Sequence, residues 1–304
     1  MTTAGAPSPL ITLASVPRSF EHPVARAQRN AVNSWRALGD EVEIILCGQD
    51  DGVAEFARAV GAVHLPDIQL SELGTPLLDS VLRAATTRAR ARLVCYVNTD
   101  IVLLPDFLES VRRVRQRRFL MVGQRWDLDM PDELTFDSSG IAALQRRVAS
   151  EATLHPPAGS DYFVFPADLP WKSPPLVVGR GLWDNWLIYR ARALHVPVID
   201  ASSSITAIHQ NHDYGHVLER RDAHWSNPEA DINRQLVGED QVFQLFDATR
   251  VLTPNGVRPL VDRAHLQQRY SRTAVLYPRV WRIIGPLRRL RKALTGRASS
   301  AGQR

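Results

Sequence analysis

The amino-terminal 123 residues alternate largely apolar runs with stretches of helical spacing, and this order constrains the fold more than any other feature. The apolar runs predict strands at Leu10–Val16, Val42–Cys47, Leu93–Val97 and 119–123. The intervening stretches predict helices at Val24–Leu38, from residue 50 or 51 to Val60, from Thr75 onward and at 105–117. Alternating strands and helices predict βαβ units and a mostly parallel α/β sheet. Because the runs lack polar alternation, helices should cover both faces of that sheet.

Residues that favour caps set the predicted helix boundaries. Asp50 or Asp51 can cap the second helix, and Gly61 would end it. For the third helix, the sequence predicts Thr75 as the cap and Pro76 as the first helical residue.

Composition indicates an ordinary globular protein. The chain has 304 residues, of which 44% are hydrophobic and 23% charged. No run approaches the length that crosses a membrane, and the amino terminus lacks the features of a secretory signal. Cys47 and Cys95 lie inside apolar runs, which favours buried reduced thiols and a cytoplasmic location. The pattern loosens after residue 123, and we expect one domain at 10–262 followed by a basic helical tail at 263–304.

The net charge of +5 is divided unevenly along the chain. No acidic residue follows Asp262, whereas 11 Lys and Arg residues do, which leaves residues 1–262 with 26 basic and 32 acidic residues. That acidic balance argues against a nucleic-acid partner, which needs a positive binding face. Within the tail, residues 279–294 combine apolar residues with six basic ones, a pattern typical of an amphipathic helix on an anionic membrane. The alternative is a helix packed on the acidic body.

A polar interruption marks the predicted ligand-binding edge of the sheet. Asn98, Thr99 and Asp100 separate the run Leu93–Val97 from a second apolar run at Ile101–Leu104. In open α/β sheets, ligands bind beyond the carboxyl ends of the strands, and a carboxylate there can hold Mg²⁺ or Mn²⁺. The alternative is a loop whose Asp is only a helix cap, because so short a motif has a high false-positive risk.

Six segments share their order and spacing with one family: TLASVPRSF, GTPLLDSVLRAA, VCYVNTDIVL, GSDYFVFP, GLWDNWLIYRA and IHQNHDYGH. They resemble the GT-A-type nucleotide-sugar glycosyltransferases, in the bacterial branch close to the inverting family-two enzymes, over residues 10 to 215. The resemblance implies a GT-A-like, Rossmann-like fold with a nucleotide-sugar half at 10–123 and an acceptor half at 124–262. One residue departs from the family pattern, because Asn98 stands where the DxD motif has its first carboxylate.

The resemblance also implies roles for residues on the donor side. Nucleotide-sugar contacts are expected from residues of the strand ends and of the third helix: Pro17, Arg18, Asp50, Ser80, Asn98, Thr99 and Asp100. Asp50 could instead merely cap the next helix. A divalent cation, Mn²⁺ or Mg²⁺, would be held by Asp100 and His212.

On the acceptor side, the resemblance implies that Asp184 is the general base, although it could also be a helix cap. Asp161 is its nearest competitor. Sugar or acceptor contacts are expected from five residues, namely Gly159, Ser160, Asp161, Tyr162 and Trp183. The first three also suit an ordinary turn, and tryptophans are more often core residues than sugar-stacking walls.

Together these implications predict a glycosyltransferase that moves a sugar from a UDP- or GDP-linked donor to a hydroxyl of a glycan, lipid-linked or small-molecule acceptor, with inversion. The expected location is cytoplasmic and peripheral on the inner face of the cell membrane. Two other classes stay open. A non-catalytic nucleotide- or sugar-binding protein is favoured by Asn98, and a metal-dependent hydrolase could use His209, His212 and His216, whose spacing suits one helical face. The hydrolase would need a second carboxylate-rich metal motif, which the sequence lacks.

Overall fold

The computed structural model describes residues 8–21, 24–211 and 226–282. The first part of the chain forms β1 (Ile11–Ser15), α1 (Ala25–Ala37), β2 (Val42–Cys47), α2 (Val53–Val60), β3 (Val63–Leu65), α3 (Leu78–Arg88), β4 (Leu93–Val97), β5 (Ile101–Leu103), α4 (Asp106–Arg113) and β6 (Leu120–Val122). The rest forms β7 (Trp126–Asp129), α5 (Ser138–Glu151), β8 (Thr153–Leu154), β9 (Tyr162–Pro166), α6 (Trp183–Ala193), β10 (Val198–Asp200), β11 (Ala207–Asn211), α7 (Pro228–Val237), β12 (Arg250–Thr253), β13 (Gly256–Pro259), α8 (Arg263–Ser271) and α9 (Thr273–Leu276).

Nine strands form the main sheet, in the order β13-β12-β10-β6-β9-β4-β1-β2-β3. Strand β1 runs parallel to β2 and β4, and β10 runs parallel to β6 and β12. Strand β9 is antiparallel between β4 and β6, and β13 is antiparallel at one edge. The sheet is therefore mostly parallel and flanked by helices, as predicted. Strands from both sides of residue 123 contribute to it, so the two halves expected from the sequence share one sheet.

A smaller sheet, in the order β5-β11-β7-β8, determines which residues meet at the candidate site. Strand β5 begins directly after Asp100 and pairs antiparallel with β11, so that Ile101 faces His209. Strand β11 also runs parallel to β7, where His209 is the partner of Asp127. This register brings three residues that are distant in sequence to one point.

Burial on both faces of the sheet explains why the strands are largely apolar. Every residue of β1, β2 and β4 is buried, because helices and the neighbouring sheet cover both faces. Trp35 of α1 is completely buried and donates its indole N–H to the carbonyl of Ile101 at 2.8 Å. Cys47 and Cys95 are buried free thiols, as expected, and burial raises the pKa of Cys47 to about 12. Neither thiol has the lowered pKa of a reactive cysteine.

The predicted cap of the second helix is wrong. Helix α2 begins after Gly52, whose φ of 78° is left-handed, and neither Asp50 nor Asp51 caps it with its side chain. A Cβ on Gly52 would lie 3.0 Å from Cβ of Phe20, so the turn needs glycine for its space as well as for its backbone conformation. Gly61 ends the helix as predicted.

The predicted start of the third helix is also wrong. Helix α3 begins at Leu78 and follows an extended Leu77 that makes no side-chain cap. The Thr75 hydroxyl instead donates to Glu229 in α7 at 2.9 Å. Thr75, which the local sequence predicts as a cap, therefore forms a tertiary hydrogen bond instead. Similarly, α4 ends at Arg113 rather than at residue 117.

The chain divides into two compact units, 1–260 and 261–304. Helices α8 and α9 belong to the second unit and contain no buried residue. Within the described ranges, no helix combines the length and the apolar character that a membrane span requires.

Candidate active site

The polar interruption after β4 lies where the sequence predicts it, at the carboxyl end of the strand. Thr99 is buried, and its hydroxyl lies 2.6 Å from that of Ser15 at the end of β1. The Ser15 hydroxyl also donates to the carbonyl of Val97 at 2.6 Å. These bonds join the ends of two neighbouring strands, so Thr99 serves to hold the edge together.

Asn98 has a specific partner that explains why it is not a carboxylate. Its side-chain amide donates to Oδ1 of Asp161 at 2.6 Å, and its backbone N–H donates to the Asp161 carbonyl at 2.9 Å. A carboxylate at position 98 would face a second carboxylate without a proton to share and would repel it. The amide therefore completes a partly buried hydrogen-bond network.

Arg125 links two carboxylates of this network. Its Nη1 lies 2.5 Å from Oδ2 of Asp161, and its Nε lies 2.9 Å from Oδ1 of Asp127. The Arg125 side chain is only 17% exposed, so both ion pairs are largely shielded from water. One carboxylate oxygen of Asp161 thus accepts a hydrogen bond from Asn98, and the other pairs with Arg125.

Asp127 in turn holds two imidazoles. Its Oδ2 lies 2.8 Å from Nδ1 of His155, and its Oδ1 lies 3.2 Å from Nδ1 of His209. Burial opposes ionisation, but hydrogen bonds from both histidines and the charge of Arg125 hold the pKa of Asp127 well below its usual range. A carboxylate that accepts from Nδ1 fixes the ring and directs Nε2 to the other side.

His209 directs its Nε2 at Asp100. The distance from Nε2 to Oδ2 of Asp100 is 3.6 Å. Burial lowers the pKa of His209, but the charges and hydrogen bonds of Asp100 and Asp127 outweigh burial and raise the pKa to about 10. Two atoms that each lie about 2.1 Å from one cation are roughly 3–4 Å apart, so the spacing of this pair suits a divalent ion. Binding such an ion would displace the proton from Nε2 of His209, because only the neutral imidazole ligates a metal.

Asp184 lies in the first turn of α6, as predicted, but it is not the cap. The residue before the helix is Leu182, whose φ of 78° is left-handed and costs about 1–2 kcal/mol for a non-glycine residue. Oδ2 of Asp184 accepts from the backbone N–H of Ser160 at 3.4 Å. Burial raises the pKa of Asp184 to about 6, and nearby Asp161 adds to the effect against backbone hydrogen bonds. Strained backbone and a shifted carboxyl pKa are both typical of functional sites.

The acceptor-side turn connects Asp184 to the histidine network. Ser160 is buried, and a Cβ on Gly159 would lie 3.3 Å from Nε2 of His155. The turn 159–160 therefore runs between His155 and Asp184.

Tyr162 and Trp183 lie in the core. Tyr162 is fully buried in β9, and Trp183 is 4% exposed and packs against Tyr96 and Phe163. Neither belongs to an accessible surface on which an acceptor could rest, because ring packing occupies their faces.

Three of the predicted nucleotide contacts, Pro17, Arg18 and Asp50, lie on the loops after β1 and β2. These loops touch, because the Phe20 N–H donates to the Asp51 carbonyl at 2.8 Å. Gln28 of α1 fixes the first loop by bonding both the N–H and the carbonyl of Arg18, at 2.7 and 2.9 Å. The Arg18 and Asp50 side chains are exposed at this edge, whereas Pro17 is buried.

Ser80 lies apart from the cluster around Asp100. Its hydroxyl accepts from the Gln69 N–H at 2.9 Å, and it lines a cavity of about 470 Å³ between β3 and α3. That cavity shares no residue with the carboxylate–histidine cluster.

Two further predictions concern the histidine segment. His209 belongs to strand β11, so the helical face that the alternative hydrolase could use does not form at this residue. His212 and His216 lie outside the described residues.

Sequence reasoning missed Arg125, Asp127 and His155. Arg125 follows the carboxyl end of β6, and the rule that located Asn98–Asp100 could have found it there. Asp127 and His155 gave no such signal, because only the pairing of β7 with β8 and β11 brings them to the site.

No family model and no curated protein matches the sequence. Solved structures of similar fold include the mannosyltransferase PcManGT from Pyrobaculum calidifontis in complex with GDP-Man and Mn²⁺, at 12% identity and a TM-score of 0.45, over 72% of this chain and 62% of that one. Glucosyl-3-phosphoglycerate synthase from Mycobacterium tuberculosis, with Mg²⁺ and UDP, aligns at 15% identity and a TM-score of 0.39, over 71% and 75%. S. aureus TarS 1–349 aligns at 10% identity and a TM-score of 0.40, over 75% and 69%.

These comparisons concern the fold alone. The structural neighbours include nucleotide-sugar transferases, the class that the sequence motifs resemble. At such identities and scores, the similarity is limited to the general path of the chain. The residues of the site therefore provide the basis for a function.

Proposed function

We propose that this protein is a GT-A-type glycosyltransferase that uses a nucleoside-diphosphate sugar as donor. One observation carries the proposal: two chemical groups lie at the carboxyl edge of the sheet. The Asp100–His209 pair suits a cation, and Asp184 is a carboxyl group whose pKa is raised. Sugar transfer needs these two functions together, because the leaving diphosphate gains charge while the acceptor loses a proton.

The cation, Mn²⁺ or Mg²⁺, would be held by Asp100 and His209, with Asp127 orienting the imidazole. When bound, it would neutralise charge on the departing diphosphate. Among the described residues no three His, Cys, Asp or Glu side chains form a ready metal site. Diphosphate oxygens and water would supply the other ligands, which is the usual arrangement for Mg²⁺. His212, predicted as a ligand, stays a prediction.

The donor would lie along the loops that follow β1, β2 and β4. Arg18 suits the diphosphate, because a guanidinium binds phosphate oxygens in pairs. Asp50 would accept hydrogen bonds from the base, and Asn98, whose amide is held by Asp161, would border the ribose. UDP and GDP are the proposed nucleotides, which agrees with the ligands of the synthase and the mannosyltransferase above.

The acceptor hydroxyl would approach the turn 159–160, where Asp184 removes its proton. The raised pKa suits this role, because a base that ionises near pH 6 is charged at neutral pH yet still accepts a proton readily. Asp161 is less suited, since Asn98 and Arg125 already occupy its two oxygens. Direct displacement with inversion is the proposed stereochemistry. The acceptor would be a glycan, a lipid-linked sugar or a small molecule.

The structure weakens the main argument for a non-catalytic binding protein. The missing carboxylate at position 98 favours binding alone, but the Asn98 amide donates a hydrogen bond to Asp161 that a carboxylate could not donate. Asp100 keeps the second position of the motif and has a histidine beside it. We therefore favour turnover over binding alone.

A panel of nucleotides in thermal unfolding tests the proposed function. UDP or GDP at a hundred times its dissociation constant should stabilise the fold by about 2.7 kcal/mol, with a larger shift when Mn²⁺ is present. ADP and CDP serve as controls for a general diphosphate effect. The absence of a shift with every nucleoside diphosphate and nucleotide sugar, with or without Mn²⁺, would contradict a donor site at this edge.

The second unit suggests peripheral membrane binding. Its described residues expose large apolar side chains among arginines, namely Leu266, Tyr270, Tyr277 and Val280. Deleting residues 279–304 should lower co-sedimentation with anionic vesicles at least about tenfold, since each lost Lys or Arg contributes on the order of 1 kcal/mol. Vesicles of neutral lipid are the control. Unchanged binding after the deletion would assign the tail a structural role instead.

A further inference from the structure

Two arginine-rich segments of the first unit lie outside the candidate active site. They read RARAR at 88–92 and RRVRQRR at 112–118. Seven of their arginines are exposed, and we call them the arginine patch: Arg88, Arg90, Arg92, Arg112, Arg115, Arg117 and Arg118.

Both segments lead into strands of the main sheet. The first precedes β4 and the second precedes β6, and β9 lies between those two strands. The carbonyl of Arg92 accepts from the Ala167 N–H just beyond β9 at 2.9 Å. Nη1 of Arg92 in turn donates to the Arg117 carbonyl at 3.4 Å. The two segments therefore meet at one end of the sheet.

That end is opposite to the candidate active site. Asn98 follows β4, whereas Arg92 precedes it, and six residues of extended chain span about 20 Å. Residues 1–262 carry more acidic than basic residues, yet 8 of their 26 basic residues fall in these two short segments. This end of the sheet is therefore locally basic.

Nearby acids fix part of the patch and leave the rest unneutralised. Buried Glu43 lies 2.7 Å from Nε of Arg90, and Glu41 pairs with Arg112. Across the described ranges, no carboxylate pairs with the exposed arginines at positions 92, 115, 117 and 118. Glu43 thus serves as an anchor that holds the first segment in position, and the patch keeps a net positive charge.

A cavity of about 570 Å³ opens among these residues. Arg90, Arg92 and Arg112 contribute to its wall beside Glu41, together with an apolar set formed by Leu10, Leu93, Val111 and Val114. Glu43 and Glu41 pair with Arg90 and Arg112, so Arg92 supplies the guanidinium of this wall that is left for a phosphate. Guanidinium groups match the paired oxygens of a phosphate, and the apolar wall suits the first carbons attached to it. The cavity and the patch together fit the phosphate ester of a lipid headgroup.

We propose that the arginine patch docks this protein on an anionic phospholipid surface. Neither segment contains an aromatic residue, so the patch lacks the stacking platforms of proteins that bind single-stranded nucleic acid. A membrane needs only a dense array of positive charge at a protein end, which the patch supplies. The proposal does not depend on the catalytic function or on the tail.

The test measures binding of the full-length chain to vesicles of phosphatidylglycerol and of phosphatidylcholine. Each arginine at an anionic surface contributes roughly fivefold to binding, so Arg115→Gln/Arg118→Gln should weaken binding about 25-fold. Neither side chain makes a bond in the described structure, so the fold should be unaffected. The matched control is Arg26→Gln/Arg146→Gln, which removes the same charge from exposed sites on α1 and α5 and should change binding less than about twofold.

Further arms identify the source of the anion. Inorganic phosphate should compete only weakly, because a single ion cannot engage the whole patch. Equal losses in the patch and control variants, or no binding of the wild type to phosphatidylglycerol, would overturn the proposal. Loss of binding to a single-stranded oligonucleotide, with vesicle binding unchanged, would overturn it in favour of nucleic acid.

Discussion

Asp184→Asn should transfer sugar at least about 100-fold more slowly than the wild type while binding the nucleotide sugar with near-normal affinity. The amide keeps the shape of the carboxylate and can still accept the Ser160 N–H, but it cannot take a proton from the acceptor hydroxyl. Steady-state kinetics with a UDP- or GDP-linked sugar, together with donor binding measured by calorimetry, separate these two effects.

The pH dependence gives the same assignment an independent readout. Since burial raises the pKa of Asp184 to about 6, wild-type turnover should fall as the pH drops through 6, where the base becomes protonated. The residual activity of Asp184→Asn should not show this decrease at low pH.

The stability of the wild type should change with pH in the opposite sense to its turnover. A raised carboxyl pKa favours folding at low pH, and this contribution is lost as the pH rises through 6. At pH 8 the amide variant should therefore unfold no more easily than the wild type, and it could gain up to about 3 kcal/mol.

Asp161→Asn is the comparison that can contradict this assignment. Asp161 pairs with Arg125 inside a shielded network, so its neutralisation should lower the free energy of unfolding by roughly 3 kcal/mol, the usual cost of breaking a buried pair. Wild-type transfer by Asp184→Asn, with transfer lost in a folded Asp161→Asn, would move the role of base to Asp161.

Asp100→Asn should abolish the part of nucleoside-diphosphate binding that depends on Mn²⁺. In the wild type, Mn²⁺ should tighten UDP or GDP binding by more than about tenfold, or 1.4 kcal/mol. The variant should bind equally with Mn²⁺ and with a chelator, because the amide removes the anionic ligand. His209→Ala should weaken the metal effect, and Asp127→Asn should reduce metal affinity about 10- to 100-fold by releasing the imidazole. Calorimetric titrations of the nucleotide, with and without Mn²⁺, measure all three.

Asp132→Asn is the matched control for these variants. Asp132 is an exposed carboxylate that follows β7, close in sequence to Asp127 but outside the network. Its loss should leave the metal effect intact. Full metal dependence in Asp100→Asn would contradict the proposed cation site.

Strands were predicted more accurately than helix starts, and the difference has a physical cause. Strands β2 and β4 have the predicted bounds, because a strand that is buried on both faces is largely apolar, and Glu43 is the one charged residue in the two. Helix starts depend on which partner a polar side chain finds. Thr75 bonds to Glu229, which is 154 residues away, and local sequence cannot reveal that competition.

The candidate site likewise combines residues that the local sequence identified with residues that it did not. The strand–polar–strand pattern identified Asn98 and Asp100 as edge residues, and the resemblance identified the helix that carries Asp184. The cluster that connects them depends on strand register: β11 pairs with β5 and β7, so His209 stands beside both Asp100 and Asp127. A shift of one residue would turn His209 to the other face, and no local signal fixes that register.

The sequence by itself determined the α/β class, the position of the polar segment Asn98–Asp100 at the carboxyl end of β4 and the basic character of the tail, because burial and charge depend on local composition. Only the tertiary structure decided that Asn98 serves Asp161, that Arg125 and Asp127 join the site, and that the exposed arginines form one end of the sheet. Those relations are contacts between segments far apart in the chain, and their energies depend on geometry that no single segment contains.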